Sequence, residues 1–305
     1  MKAAVPILGL APALEKPRAA DKSTAAVLGE LFKIRLTTLV LLTTFVGFYA
    51  GWRGPMSGGL LFHTMLGTAL LAAGAAALNQ LLERDYDAKM SRTQNRPLPS
   101  GRITPEAALI IGVVCAGAGL MDLALAVNRL TALLGVLTLV SYLLVYTPLK
   151  RITTLNTAVG AIPGALPPLM GWTAARGAVT GEGWALFAIL FFWQLPHFLA
   201  IAWMYREDYA RAGFVMLPVV DPTGARTGSQ ALSHTLGLLP VSLCPFLFGL
   251  TGPVYLAGAL VLGAGFIWRA WRFSRRVGLA GARRLFYASI LYLPLLLLLI
   301  IISKK

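Results

Sequence analysis

The sequence predicts an all-α, polytopic membrane protein, a bundle of nine transmembrane helices, from three observations. Of 305 residues, 57% are apolar and only 13% charged, at a mean hydropathy of +0.72, whereas soluble domains are charged at about a quarter of their positions. Nine apolar runs of about 20 residues, the length that crosses a hydrocarbon core, can be drawn at 35–53, 60–82, 105–126, 130–149, 155–174, 183–204, 229–250, 253–271 and 284–303. Lysine and arginine are dense in alternate loops and sparse in the others, the pattern that fixes orientation.

The first run follows residues 1–30, read as a mobile cytoplasmic tail ahead of a transmembrane domain over 31–305. The apolar stretch after Lys2 is a poor signal peptide, because two prolines interrupt it and Glu15, Lys16, Pro17 and Arg18 follow. With the N-terminus inside, 22 of the 27 basic residues fall inside; Arg53, Arg129, Arg176, Lys304 and Lys305 fall outside. Nine helices thus put the N-terminus in the cytoplasm and the C-terminus outside, and eight or ten would misplace a basic loop. The net charge of +15 therefore reports topology, with no nucleic acid implied. Loops outside are short, at 54–59, 128–129, 175–182 and 251–253. The two long polar loops, 83–104 and 205–228, lie inside and four helices apart, which hints at two related halves. The fifth run carries Gly160, Pro163, Gly164, Pro167 and Pro168 and the sixth Pro196, so kinks or close helix approach are expected there. Cys115 and Cys244 fall within runs and supply no disulfide framework or paired-cysteine metal site.

The chemistry concentrates at the end of the second run. At about 100° per residue, Asn79, Glu83 and Asp87 share one narrow helix face, while Asp85 points away. Three converging oxygen ligands suit Mg²⁺, which takes one or two carboxylates and completes its shell with water and phosphate oxygens. Arg92, Arg96 and Arg102, with Thr93 and Ser100, follow as donors, and arginine suits bidentate phosphate contacts. A solvated helix end explains the acidic triad alone; the trailing arginines favour a carboxylate, magnesium and phosphate arrangement. After the fourth run, Lys150 and Arg151 taken alone satisfy only the inside-positive rule, but beside Tyr146, Thr153 and Asn156 they become candidate anion ligands.

The sixth run holds His197 about two turns inside its boundary, and an ionisable residue within a membrane is by default a functional candidate. It can serve as a substrate or haem contact, or simply be hydrogen-bonded within the bundle. Glu207 and Asp208 follow as a second metal patch or as solvated loop residues. His63 and His234 have no polar company in sequence and read as packing or interfacial residues.

Together these segments resemble the UbiA superfamily of intramembrane prenyltransferases and, within it, the protohaem IX farnesyltransferase family. Asn79, Glu83, Asp87, Met90, Arg92, Thr93, Arg96 and Pro97 match its first signature. Tyr146 to Asn156 is similar to its second, continued by Gly160, Gly164 and Gly171. Trp193 to His197, with Glu207, Asp208, Tyr209, Ala212, Gly213, Met216 and Pro218, is similar to its third. The chain departs from the wider superfamily where His197 and Met204 replace acidic residues of the second Asp-rich motif. The resemblance covers about residues 30–300 and implies a UbiA-like helical bundle in the inner membrane with its active site on the cytoplasmic side. It implies transfer of a farnesyl group from farnesyl diphosphate to a vinyl group of protohaem (haem B), with water addition, giving haem O and diphosphate for terminal oxidases. By residue, Asn79, Glu83 and Asp87 would hold Mg²⁺ and the diphosphate. Arg92, Arg96, Lys150 and Arg151 would bind diphosphate, with Tyr146, Thr153 and Asn156 at the substrate. His197 would orient haem, and Glu207 and Asp208 would assist metal or substrate. Pathway logic adds a haem-supplying or haem-accepting membrane protein, which no segment identifies. The alternatives are prenylation of a quinone or chlorophyll precursor and, remotely, transport. Transporters place coupling charges near the bilayer midplane, and these lie at helix ends.

Overall fold

The structure is a computed structural model and describes residues 23–305. Of the expected tail, 1–22 lie outside the described residues, and the remainder forms helix α1 (Thr24–Leu31), started by the Ser23 side chain, which accepts from the Ala26 amide. The chain continues through α2 (Ile34–Gly51), α3 (Gly58–Asp87) and α4 (Pro105–Asp122), which widens into a π-helical turn at Leu123–Val127. Helix α5 (Arg129–Val140) widens likewise at Ser141–Tyr146 before the single turn α6 (Thr147–Leu149). Then come α7 (Asn156–Arg176), α8 (Gly181–Met204), the short α9 (Arg206–Ala212) and α10 (Leu217–Val220), and α11 (Ala225–Leu247), α12 (Pro253–Arg275) and α13 (Leu279–Ser303). The starts have local causes. Ser57, Thr104 and Asn128 each accept an amide of the first turn, at 3.3, 3.2 and 2.8 Å, satisfying donors a helix start leaves open.

The protein is a multi-pass membrane protein. Among the described residues, seven spans are long and apolar enough to cross a membrane: α2, α3, α4 with its π turn, α5 to α6, α8, α12 and α13. The expected count of nine is therefore not reproduced by that criterion. Helices α7 and α11 match the others in length, at 21 and 23 residues, and are less apolar: α7 carries three prolines and three glycines, and α11 opens on Arg226, Thr227, Ser229 and Gln230. Large apolar side chains remain exposed along the long helices, Leu125 at 82% and Val261 at 72% among them, as a surface solvated by lipid requires.

The long helices run alternately up and down. Ring and methyl packing forms one large core among α8, α11, α12 and α13 and a smaller one among α3, α4 and α5. Helices α2 and α7 join them, approaching so closely that a Cβ on Gly47 would stand 1.9 Å from the Pro168 carbonyl oxygen. At one end, Lys304 Nζ donates to the carbonyls of Tyr49 and Trp52, a cation on the C-terminal dipole of α2. At the other end the two long polar loops meet: Asp208 binds Ser91 and the Arg92 amide, over a small core of Met90, Ala202, Ala212, Phe214 and Met216.

Candidate active site

Helix α3 stays helical to Asp87, five residues past the end expected from hydropathy, so the face drawn from the sequence survives intact. Asn79, Glu83 and Asp87 are 1%, 5% and 0% exposed, whereas the Asp85 side chain is 80% exposed beside Arg84. Carboxylates this buried require partners. Lys150 Nζ donates to Glu83 Oε1 at 2.7 Å, and Arg96 Nη1 to Asp87 Oδ2 at 2.6 Å. Lys33 Nζ donates to Asn79 Oδ1 at 2.8 Å, and Asn79 Nδ2 to Thr147 Oγ1 at 3.2 Å. Asp87 Oδ1 is buried with no partner. With Lys33 protonated, three cations against two carboxylates give the cluster a formal charge of +1.

Local folding delivers each cation. Arg96 comes back over α3 because the chain turns at Thr93, whose hydroxyl donates to the Asp87 carbonyl at 2.9 Å and whose own carbonyl accepts from the Arg96 amide. Lys150 leaves the end of α6 with its ammonium 4.5 Å above the Tyr146 ring. That ring occupies the space a Cβ on Gly160 would need, 2.5 Å away. Lys33 sits between α1 and α2 at φ 49°, the only non-glycine with positive φ among the described residues. A left-handed residue costs about 1–2 kcal/mol, which the hydrogen bond to Asn79 helps offset.

The sequence reading counted Lys33 only as an inside-positive residue. Its site role was hidden because neither its backbone conformation nor its partner, 46 positions away, leaves a mark in the local sequence. Burial, then repulsion from Arg96 and Lys150, outweighs attraction from Glu83 and Asp87 and lowers the Lys33 ammonium to about 7. For Lys150 the balance reverses: burial pulls its value down, but the neighbouring Tyr146 and Glu83 oxygens raise it above the ordinary lysine value.

Other expected site residues are placed elsewhere. Arg92 is exposed on the rim, its guanidinium 5.3 Å from the Tyr205 ring, and Arg151 stacks at 4.9 Å on Tyr86 and donates to its hydroxyl. Thr153 and Asn156, expected at the substrate, fasten the loop in the structure. The Asn156 amide donates to the carbonyls of Thr153 and Val215, and Thr153 Oγ1 accepts from the Leu155 amide. The same holds for Ser100, which donates to the Arg96 carbonyl, and for Arg102, paired with Glu30 at 2.8 Å. Asp208 is spent on Ser91, the Arg92 amide and Arg211, and Glu207 is exposed. Among the described residues no three His, Cys, Asp or Glu side chains gather as a metal cluster, either on the α3 face or at Glu207 and Asp208. His197 stacks between Trp193 and Phe286, at 4.8 and 5.0 Å, with Nδ1 2.7 Å from Ser289 Oγ. It lies against α13 and shares no contact with the acidic face of α3. His63, expected to lack polar company, has Nδ1 2.7 Å from Asp122 Oδ1 of α4, a pairing across helices that sequence proximity could not reveal.

Two buried carboxylates and an amide thus share one helix face, ringed by three cations at the end of a lipid-solvated bundle. Residues 40–298 match the UbiA prenyltransferase family, and the chain belongs to that family. A curated relative from Solibacter usitatus, a protoheme IX farnesyltransferase, is 49% identical over 286 residues, covering 90% of this chain and 97% of its own. The solved digeranylgeranylglyceryl phosphate synthase has the same fold, with a TM-score of 0.78 at 15% identity, covering 92% of this chain and 98% of its own. So does a UbiA homologue from Archaeoglobus fulgidus bound to GPP and Mg²⁺, with a TM-score of 0.65 at 18% identity, covering 90% and 99%. The chain is a prenyltransferase.

Proposed function

We propose that the protein transfers the farnesyl group of farnesyl diphosphate to a vinyl group of protohaem IX, giving haem O and diphosphate, in the inner membrane with the α3 site facing the cytoplasm. The acceptor rests on the relatives' activity and on the matching signatures. The diphosphate rests on one observation above all: Asp87, wholly buried, keeps one oxygen unpartnered within a cluster of net positive charge. A magnesium diphosphate ester carries about one net negative charge and would neutralise the cluster's +1.

The residues fit Mg²⁺. Asp87 Oδ1 is open, and Glu83 and the Asn79 oxygen share its helix face. These three would hold the ion, which when bound supplies charge stabilisation to the departing diphosphate. Lys33, Arg96 and Lys150 place their donors around the same position. Loosening of the bond between C1 of the farnesyl group and the diphosphate oxygen builds negative charge there, and fixed cations in a dry site stabilise it without reorganising. The farnesyl cation then bonds to the terminal vinyl carbon, and water adds to the adjacent carbon and releases a proton. Apolar helices keep bulk water from the allylic cation until that bond forms. Tyr146, pinned under Lys150, forms the floor. His197, held by Ser289 between two rings, is proposed to contact haem from the α8 and α13 side, and Arg92 and Arg151 to guide the diphosphate at the rim. A haem-handling membrane partner follows only from the pathway.

The test is incubation of purified protein with haem B, farnesyl diphosphate and Mg²⁺, followed by mass spectrometry. A farnesylated, hydrated haem is expected. Product from a quinone precursor, with none from haem, would overturn the acceptor and leave the diphosphate site standing.

A further inference from the structure

At the same end of the bundle as the α3 site, α12 turns into α13. The shared location follows because Val277, Gly278 and Leu279 border one hollow with Tyr205 and Asp208, and Asp208 reaches the loop after α3. From Arg269 to Arg284 the chain has six arginines and no acidic residue. Five of them, Arg269, Arg272, Arg275, Arg276 and Arg284, line one hollow of about 560 Å³ with Trp271.

Four basic groups elsewhere at this end are neutralised locally, Arg96 by Asp87, Arg102 by Glu30, Lys150 by Glu83 and Arg211 by Asp208, whereas Lys33, Arg92 and Arg151 stand singly on an amide or a ring. Among the described residues, none of the five hairpin arginines has such a partner within the ion-pair distance. Instead the Arg269 and Arg272 guanidiniums lie 4.6 and 5.2 Å from the Trp268 ring. The inside-positive rule explains the sign of these charges. It does not explain five guanidiniums converging on one hollow, where each repels the others.

The surface below the hollow indicates what neutralises them. On α12, Val261, Trp268, Arg272 and Arg275 follow one another at helical spacing, and on α13 so do Arg284, Tyr287 and Leu291. Val261, Trp268, Tyr287 and Leu291 are 72%, 47%, 62% and 63% exposed. Each stripe thus passes from guanidinium through an aromatic ring, the residue type that settles at the headgroup level, to bare aliphatic surface. We propose that this hairpin binds an anionic phospholipid, its phosphate in the arginine hollow and its acyl chains along the two stripes. Arginine clusters between membrane helices on the cytoplasmic side are suited to such headgroups, and a free phosphate would leave the stripes unused.

The test is thermal unfolding of the delipidated full-length protein in neutral detergent, titrated with cardiolipin, phosphatidylglycerol, phosphatidylcholine or inorganic phosphate. The two anionic lipids should raise the melting temperature at far lower concentration than phosphatidylcholine, with inorganic phosphate ineffective. Arg272→Gln, Arg276→Gln and Arg284→Gln combined should weaken the anionic-lipid response about tenfold or more. A control losing the same charge elsewhere at this end (Arg35→Gln, Lys89→Gln and Arg226→Gln) should respond as wild type. Equal weakening in both variants would reduce the effect to diffuse charge and overturn the site, and protection by inorganic phosphate would overturn the lipid. If the triple glutamine variant fails to fold, the corresponding triple lysine variant keeps the charge and loses the bidentate geometry, and an unchanged lipid response in it overturns the proposal equally.

Discussion

Two acidic groups lie at the same end of the bundle, on α3 and on α9, and they differ in how fully their oxygens are used. Asp87 on α3 gives one oxygen to Arg96 and keeps the other buried and open. Asp208 on α9 is nearly as buried, but its oxygens take Ser91, the Arg92 amide and Arg211. An unpartnered buried carboxylate oxygen costs about 1–3 kcal/mol or more; Asp122 Oδ2 beside His63 is another, but only the Asp87 oxygen lies in a ring of cations. A saturated carboxylate is a fastener. Under the proposed function, chemistry belongs to α3 and assembly to α9, although the residue types are the same.

Asp87→Asn should break the comparison first and most. It removes the carboxylate charge offered to the metal and unbalances Arg96, and kcat/KM is expected to fall on the order of 10²–10³-fold at saturating Mg²⁺. Haem binding, read by the Soret band, should stay unchanged. Turnover within a few-fold of wild type would sink the metal assignment.

Lys33→Met follows. Its ammonium contacts the neutral Asn79 amide, so no carboxylate offsets its charge, and an incoming anion would favour the protonated form. Loss of one charge-assisted hydrogen bond, about 1.5–3 kcal/mol, should raise KM for farnesyl diphosphate about tenfold or more, with the KM for haem unmoved. An unchanged KM would return Lys33 to a purely topological role.

These two residues also show what the sequence could carry. Asn79, Glu83 and Asp87 were legible because a helix repeats in a fixed angle, and the face needed only α3 to stay helical beyond its apolar run. The order of the long helices was legible from apolar length, α7 and α11 included, although these two are less apolar than the other seven. Lys33 was not legible, since its placement depends on one left-handed residue. The loop bonds of Asn156 and Asp208 were hidden for a related reason: an amide or carboxylate in a signature can hold a loop as readily as a ligand, and their partners, Val215 and Ser91 among them, are far away in sequence.

A smaller effect is expected for Asp208→Asn, which keeps the shape and weakens the bonds to Arg211 and Ser91. Local stability between α8 and α11 should drop by about 1–3 kcal/mol, visible as faster tryptic cleavage after Arg206 or Arg211. The loss in kcat/KM should stay well below that of Asp87→Asn. A loss as large, with cleavage unchanged, would move Asp208 into the chemistry and erase the distinction drawn from its saturated oxygens.

The smallest change belongs to Glu207→Gln. Glu207 stands one residue before Asp208 in the same signature, yet it is exposed at the edge of the hollow beside α13. A surface substitution of this kind stays within about 0.5 kcal/mol, so kcat, both KM values and the Mg²⁺ dependence should remain within about twofold of wild type. The Mg²⁺ titration is the sharper reading, because a carboxylate that joins the metal only after substrate closes the loop would shift the half-saturating concentration even at unchanged kcat. A rightward shift would give α9 a part in holding the ion and make the acidic groups of the two loops partners, one built in advance and one recruited.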